Sequence, residues 1–312
     1  MAVAELFILI WDFFFRPKCT SEAKLNNKTV IITGGNAGIG KETALDLAAR
    51  GAKVIIGCRD TEKGRKAAED IRRQVPAANI IVKYLDLASF SSIRQFAAEI
   101  LKSEPRIHIL INNAGIMMCP ESKTVDGFEM QIGVNHLGHF LLTNLLLDRI
   151  KESSPARVIN VSSEAYTFGK VSLSDINMER GYNPIWAYGQ SKLANILFTR
   201  ELARRLEGTS VTTYCLHPGN VETELYVHMN RRLERITGFL FNLLSKLFFK
   251  SPKEGAQTTI YCAVDEKIAN ESGLYYMGCR SVEPMAKARD DAFAKKFWEF
   301  SERLIESVPH SS

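Results

Sequence analysis

The chain has 312 residues, 46% of them hydrophobic and 24% charged, with a formal net charge of +5. Such a chain can bury its own core and suits one large α/β domain. Its positive charges are scattered, without the basic–aromatic stripe of nucleic-acid binders, so no nucleic-acid partner is expected; the charge suits at most a membrane surface or a phosphorylated cofactor. None of the six cysteines stands in a C-x-x-C pair, and no His/Cys cluster has zinc spacing. Free thiols in a reducing compartment are the economical reading.

Residues 2–15 are apolar except for Glu5 and Asp12, and Arg16, Lys18 and Lys24 follow. The run is shorter than the roughly 20 residues of a spanning helix. It also lacks the basic start and small-residue cleavage site of a signal peptide. It suits a membrane-interface helix or short anchor, with a hydrophobic arm packed on the body or on a partner as the alternative. The basic residues after it would keep the body on the cytosolic side.

From Lys28 onward, short apolar runs alternate with amphipathic helical patterns. Strands are predicted at 29–32, 53–58, 80–84, 107–112, 157–161, 211–216 and 274–277. Continuous apolar strands separated by helices imply a parallel sheet covered on both faces. The predicted fold is therefore α/β: a single Rossmann-type doubly wound domain, with a seven-stranded parallel sheet and helices on both faces. Residues 1–25 are read as an appendage, residues 26–312 as the folded domain, and 221–250 as an insert that interrupts the alternation.

The first strand runs into Thr33-Gly-Gly-Asn-Ala-Gly-Ile-Gly40. Gly34, Gly38 and Gly40, with Asn36 and Ile39 between them, form a turn in which backbone can approach a diphosphate. The helix that follows offers unbonded N–H groups and a positive dipole end to phosphate. The second strand ends at Cys58-Arg59-Asp60. Asp60 suits the ribose hydroxyls of NAD(H), whereas Arg59, helped by Lys41, suits the 2′-phosphate of NADP(H). NADP(H) is preferred; a solvated Arg59 at a helix start is the alternative. Asp86 and Leu87 end the third strand, where adenine should lie. Asn113, Ala114 and Gly115 end the fourth, leaving room for a ribose.

Tyr188-Gly-Gln-Ser-Lys192 places a phenol and an ammonium on one helix face. An ammonium beside a phenol favours phenolate, so such a pair can exchange a proton with an alcohol or ketone near neutral pH. Ser163 ends the fifth strand on the same sheet edge and is suited to polarise a substrate oxygen. Asn135 sits between apolar neighbours in a helical stretch, where a buried, satisfied amide is the plain alternative. His136, His139 and His217 lack an accompanying carboxylate motif, so packing or hydrogen bonding is expected rather than a metal.

In this order, T-G-x-x-x-G-x-G, N-N-A-G, Ser, Y-x-x-x-K and His217-Pro-Gly219 resemble the short-chain dehydrogenase/reductase superfamily, over about residues 28–277. The resemblance implies a tetrad of Asn135, Ser163, Tyr188 and Lys192. Tyr188 would pass the proton, Ser163 steady the carbonyl, Lys192 bind the nicotinamide ribose and Asn135 hold a water. Pro218, Gly219, Val221 and Thr223 would line the nicotinamide side. Cys58-Arg-Asp60, Asn135-His-Leu-Gly-His-Phe140 and the apolar start resemble the retinol dehydrogenase group. That implies NADP(H), membrane attachment, with the endoplasmic reticulum as the expected membrane, and interconversion of retinol and retinaldehyde.

The insert holds a Phe- and Leu-rich run at 239–249, read as a lid over a lipophilic substrate; a core helix or dimer face is the alternative. A retinoid is the first expectation, with lipid aldehydes and steroids next. A homo-oligomer is compatible with the family. The rival class is a non-enzymatic membrane-surface protein on a retained dehydrogenase fold.

Overall fold

The structure is a computed structural model that describes residues 16–221 and 250–308. The apolar run at 2–15, the insert over 222–249 and Thr223 lie outside the described residues. Among the described residues, eight strands form one sheet: β1 (Thr29–Thr33), β2 (Lys53–Cys58), β3 (Asn79–Tyr84), β4 (Ile109–Asn112), β5 (Ala156–Val161), β6 (Val211–His217), β7 (Leu274–Met277) and β8 (Arg280–Val282). Their spatial order is β3-β2-β1-β4-β5-β6-β7-β8. Every pairing is parallel except β7 with β8.

The seven predicted strands are the first seven. The eighth is three residues long, too short to carry a readable period, and returns through Gly278 and Cys279, both at positive φ.

Among the described residues, seven long helices cover the sheet: α1 (Gly38–Ala49), α2 (Thr61–Gln74), α3 (Phe90–Ser103), α4 (Gly138–Glu152), α5 (Pro184–Arg205), α6 (Pro252–Val264) and α7 (Asp291–Glu306). Alternate residues of the central strands serve opposite faces. Ile31, Ile55, Leu110 and Val158 pack with Phe96 of α3, Leu142 of α4 and Trp298 of α7. Val30, Ile32, Val54, Ile56 and Ile111 pack with Leu47 of α1, Ile71 of α2 and Ile260 of α6. Both faces being dry explains why these strands read as unbroken apolar runs.

Residues 16–25, assigned to the appendage from sequence, lie against this body. Arg16 pairs with Glu254 at 2.8 Å, the Cys19 N–H donates to Gln257 at 3.1 Å, and Leu25 is buried in the second core layer. None of the described helices is long and apolar enough to cross a membrane.

Candidate active site

The sheet order reverses between β1 and β4: one half of the chain winds outward through β2 and β3, the other through β5 and β6. A crevice opens at the carboxyl edge of such a switch point. Here it is a cleft of about 730 Å³, within the size of sites that enclose a small organic molecule.

The turn after β1 needs its glycines. Gly34 has φ +68, and a Cβ on Gly40 would stand 2.4 Å from the Gly34 carbonyl oxygen and 2.6 Å from Asn113 Nδ2. Gly40 therefore lets α1 start directly against the β4 loop. α1 begins after Ala37 with no side-chain cap and no acid in its first turn. α2 and α3 are capped by Asp60 and Ser89 instead. Uncapped N–H groups beside Asn36, Gly38, Ile39 and Gly40, all on the cleft wall, make a seat for an anion. A loop that a single Cβ would fill, above an uncapped helix start, fits a dinucleotide's diphosphate.

Beyond it, Arg59, Asp60, Lys63, Asp86 and Leu87 line one end of the cleft. The Asp60 carboxylate accepts the Lys63 N–H at 2.9 Å and so caps α2. Lys41 corrects the sequence expectation: its ammonium pairs with Asp70 at 2.5 Å and is absent from the cleft lining. Lys63, passed over in the sequence, takes a place there; its only signal is a position one turn into α2.

Asn113, Ala114, Gly115, Pro218, Gly219 and Val221 line the cleft's centre together with Ser163, Tyr188 and Lys192. Lys192 and Tyr188 project from the same face of α5, as their spacing requires, and the Lys192 Nζ lies 5.5 Å from the Tyr188 ring centroid. The ammonium donates to the Val161 carbonyl at 3.1 Å and is 3% exposed. Burial holds its pKa down from 10.5 to about 8. The Ser163 hydroxyl accepts the Ala165 N–H at 3.2 Å, and the Glu164 N–H donates to His217 Nδ1 at 3.3 Å, which ties this loop to the end of β6.

Asn135 lies behind the cleft wall and is fully buried. It sits in a π-helical turn, Gly133–Leu137, that precedes α4; such turns accommodate an extra residue and concentrate at functional sites. Its amide accepts from the Ile116 N–H at 2.8 Å, and donates to the Ile116 carbonyl and the Ser191 hydroxyl, each at 2.9 Å. A Cβ on Gly115 would be 3.3 Å from Asn135 Oδ1 and 3.5 Å from Lys192 Nζ, so both side chains reach close to that glycine.

Ile116, Met117, Cys119, Met130 and Val134 form an apolar wall that sequence inspection did not single out. Ile116, Met117 and Cys119 sit on the loop after β4, and Met130 and Val134 in the helical turns that lead into α4, so no single period connects them and only tertiary folding collects them. His136, His139 and His217 all make hydrogen bonds. Among the described residues no group of three His, Cys, Asp or Glu could hold a metal.

Residues 28–234 match the short chain dehydrogenase family. The chain is 50% identical over 291 residues to retinol dehydrogenase 14 of Mus musculus, covering 90% of this chain and 86% of that protein. It is likewise 50% identical over 296 residues to retinol dehydrogenase 12 of Homo sapiens, covering 95% and 92%. Among solved structures, an uncharacterized protein from Mycobacterium Paratuberculosis superposes with a TM-score of 0.72 at 38% identity, covering 92% of this chain and 97% of the other. The Pseudomonas aeruginosa RhlG/NADP active-site complex superposes with a TM-score of 0.64 at 27% identity, covering 81% and 94%.

Proposed function

The chain belongs to the short-chain dehydrogenase family, and from that premise we propose that it moves a hydride between NADP(H) and a lipophilic alcohol or aldehyde, with retinol and retinaldehyde as the pair. The observation that carries the chemistry is a buried ammonium 5.5 Å from the Tyr188 ring centroid, in the cleft that also holds the glycine turn. When bound, the nicotinamide supplies or accepts the hydride. Tyr188 gives a proton to the substrate oxygen or takes one from it. Lys192, held on the Val161 carbonyl, stabilises the charge that develops on the phenol. Ser163 hydrogen-bonds the substrate oxygen and polarises it. Asn135 pins Ile116 and Ser191, so it fixes α5 against the loop after β4.

Substrate and cofactor identity rest on different grounds. Relatives about half identical over nearly the whole chain bear the name retinol dehydrogenase, and the Met117, Met130 and Val134 wall suits an apolar chain. NADP(H) over NAD(H) is supported by Arg59 and Lys63 at the adenosine end. The rival carboxylate, Asp60, is already engaged in capping α2. Attachment to a membrane, the endoplasmic reticulum first, suits a substrate that partitions into lipid, with the apolar residues 2–15 as the contact.

The test is loss of NADPH absorbance with retinaldehyde, beside a panel of lipid aldehydes and steroids, for wild type and Tyr188→Phe. Turnover by wild type and a fall of about a thousandfold in the variant are expected, since proton transfer by a positioned side chain contributes roughly 10²–10⁴-fold. Equal rates would refute the assignment of Tyr188.

A further inference from the structure

His139 is the second residue of α4, one turn beyond Asn135, and is 1% exposed. Its Nδ1 lies 3.0 Å from the Asn135 carbonyl oxygen and its Nε2 lies 2.8 Å from the Thr33 hydroxyl. A carbonyl can only accept, so Nδ1 carries the proton and donates. The Thr33 hydroxyl already accepts the Asn113 and Ala114 N–H groups, each at 2.9 Å. With both lone pairs used, its one proton is free to donate, and Nε2 at 2.8 Å is a far better acceptor than the Ile111 carbonyl at 3.5 Å. Each donor thus has one acceptor, and the ring is fixed in the neutral Nδ1–H tautomer. Burial, which pushes its pKa down to about 4, keeps it neutral at physiological pH. Its neighbour His136 turns the other way, to Ser301 of α7 at 3.1 Å.

Thr33 ends β1 where the glycine turn starts, and Asn113 and Ala114 of the β4 loop line the cleft. Asn135 occupies the π-helical turn Gly133–Leu137. We propose that His139 is a positioning residue, whose single imidazole bolts the π-helical turn carrying Asn135 to the two loops that receive the cofactor. The inference rests on the dehydrogenase reading for its effect on turnover, and on geometry alone for the bridge. Each ring nitrogen has a separate role. Nε2 holds the cofactor loops through Thr33, and Nδ1 holds the Asn135 backbone.

Amide replacements separate the two roles. The amide of His139→Asn falls near the place of Nδ1, and that of His139→Gln near the place of Nε2. Losing one hydrogen bond of this kind is worth up to about tenfold. With His139→Asn, kcat is expected to stay within about threefold of wild type while the NADPH dissociation constant rises about tenfold. With His139→Gln, the affinity is expected to hold and kcat to fall about tenfold. His139→Phe, which keeps a ring and drops both bonds, should lose both. Thr33→Val should weaken NADPH binding, and Thr33→Ser, which keeps the hydroxyl, should bind as wild type does even if a His139 variant fails to fold.

Losses that are equal in the Asn and Gln variants and track melting temperature alone would overturn the proposal, as would a folded Phe variant with wild-type constants. A wild type that binds NADPH and reduces no carbonyl would refute the dehydrogenase reading while leaving the affinity arm to decide the bridge. Imidazole nitrogen NMR decides it independently of any ligand. A protonated Nδ1 with an acceptor Nε2, whose shift moves in Thr33→Val, is expected, and a protonated Nε2 would overturn the bridge.

Discussion

Replacing Lys192 by methionine should make the folded protein more stable and catalytically dead. The ammonium is 3% exposed and its pKa is held from 10.5 down to about 8 by burial. At 1.36 kcal/mol per pH unit, keeping it charged at neutral pH costs roughly 3 kcal/mol of folding free energy. Methionine fills much of the same space without the charge, and the Val161 carbonyl it abandons still receives the Asn195 amide at 3.2 Å. Scaled by the unfolding entropy of a chain this size, the gain amounts to a melting-temperature rise of about 5 °C. The sign against pH is fixed by the direction of the pKa change. A lysine depressed on folding leaves the folded state short of a proton between about 8 and 10.5, so wild-type stability rises with pH there. The whole cost is present below about 8 and shrinks above it. Denaturant unfolding of the cofactor-free protein at pH 7 and at pH 9.5 is the assay, and the gap between variant and wild type should fall to about 1 kcal/mol at the higher pH. A destabilised variant, or a gap that ignores pH, would refute the reasoning. Loss of turnover with gain of stability is the trade expected where a buried charge serves chemistry.

The same ammonium gives a rate prediction: kcat/KM, which reports the free enzyme, should decline as pH rises through about 8, where Lys192 becomes neutral. A profile flat to pH 10 would show that the charge is not required. Arg59→Ala should raise the NADPH dissociation constant by roughly 10- to 100-fold, the worth of a lost charge-assisted hydrogen bond, and change NADH binding little. Equal weakening of both cofactors would place the 2′-phosphate elsewhere. Gly40→Ala drives a methyl to within 2.4 Å of the Gly34 carbonyl. It should lower stability by about 1–3 kcal/mol and weaken NADPH binding at least tenfold in a fluorescence titration. Wild-type affinity would mean that the glycine turn is not the diphosphate seat.

Local spacing determined a good deal. Seven apolar runs became seven strands, most cleanly at β1 and β4, where a strand buried along its whole length has few polar positions to blur it. The i, i+4 spacing of Tyr188 and Lys192 placed both on one face of a helix before any fold was known, since a helix turns once in 3.6 residues. The glycine turn was legible for the same reason: φ > 0 and close backbone approach leave glycine little competition. Only the tertiary structure decided which charges face the cleft. Asp70 of α2 takes Lys41 away from it, the cap of α2 occupies Asp60, and Lys63 moves in. Those outcomes depend on how α1 and α2 pack against the sheet and each other, which no local window contains. The burial that depresses Lys192 and the two-sided grip of His139 belong to the same class. A side chain's dielectric surroundings and its hydrogen-bond partners are properties of the packed chain, which the order of residues specifies only through folding.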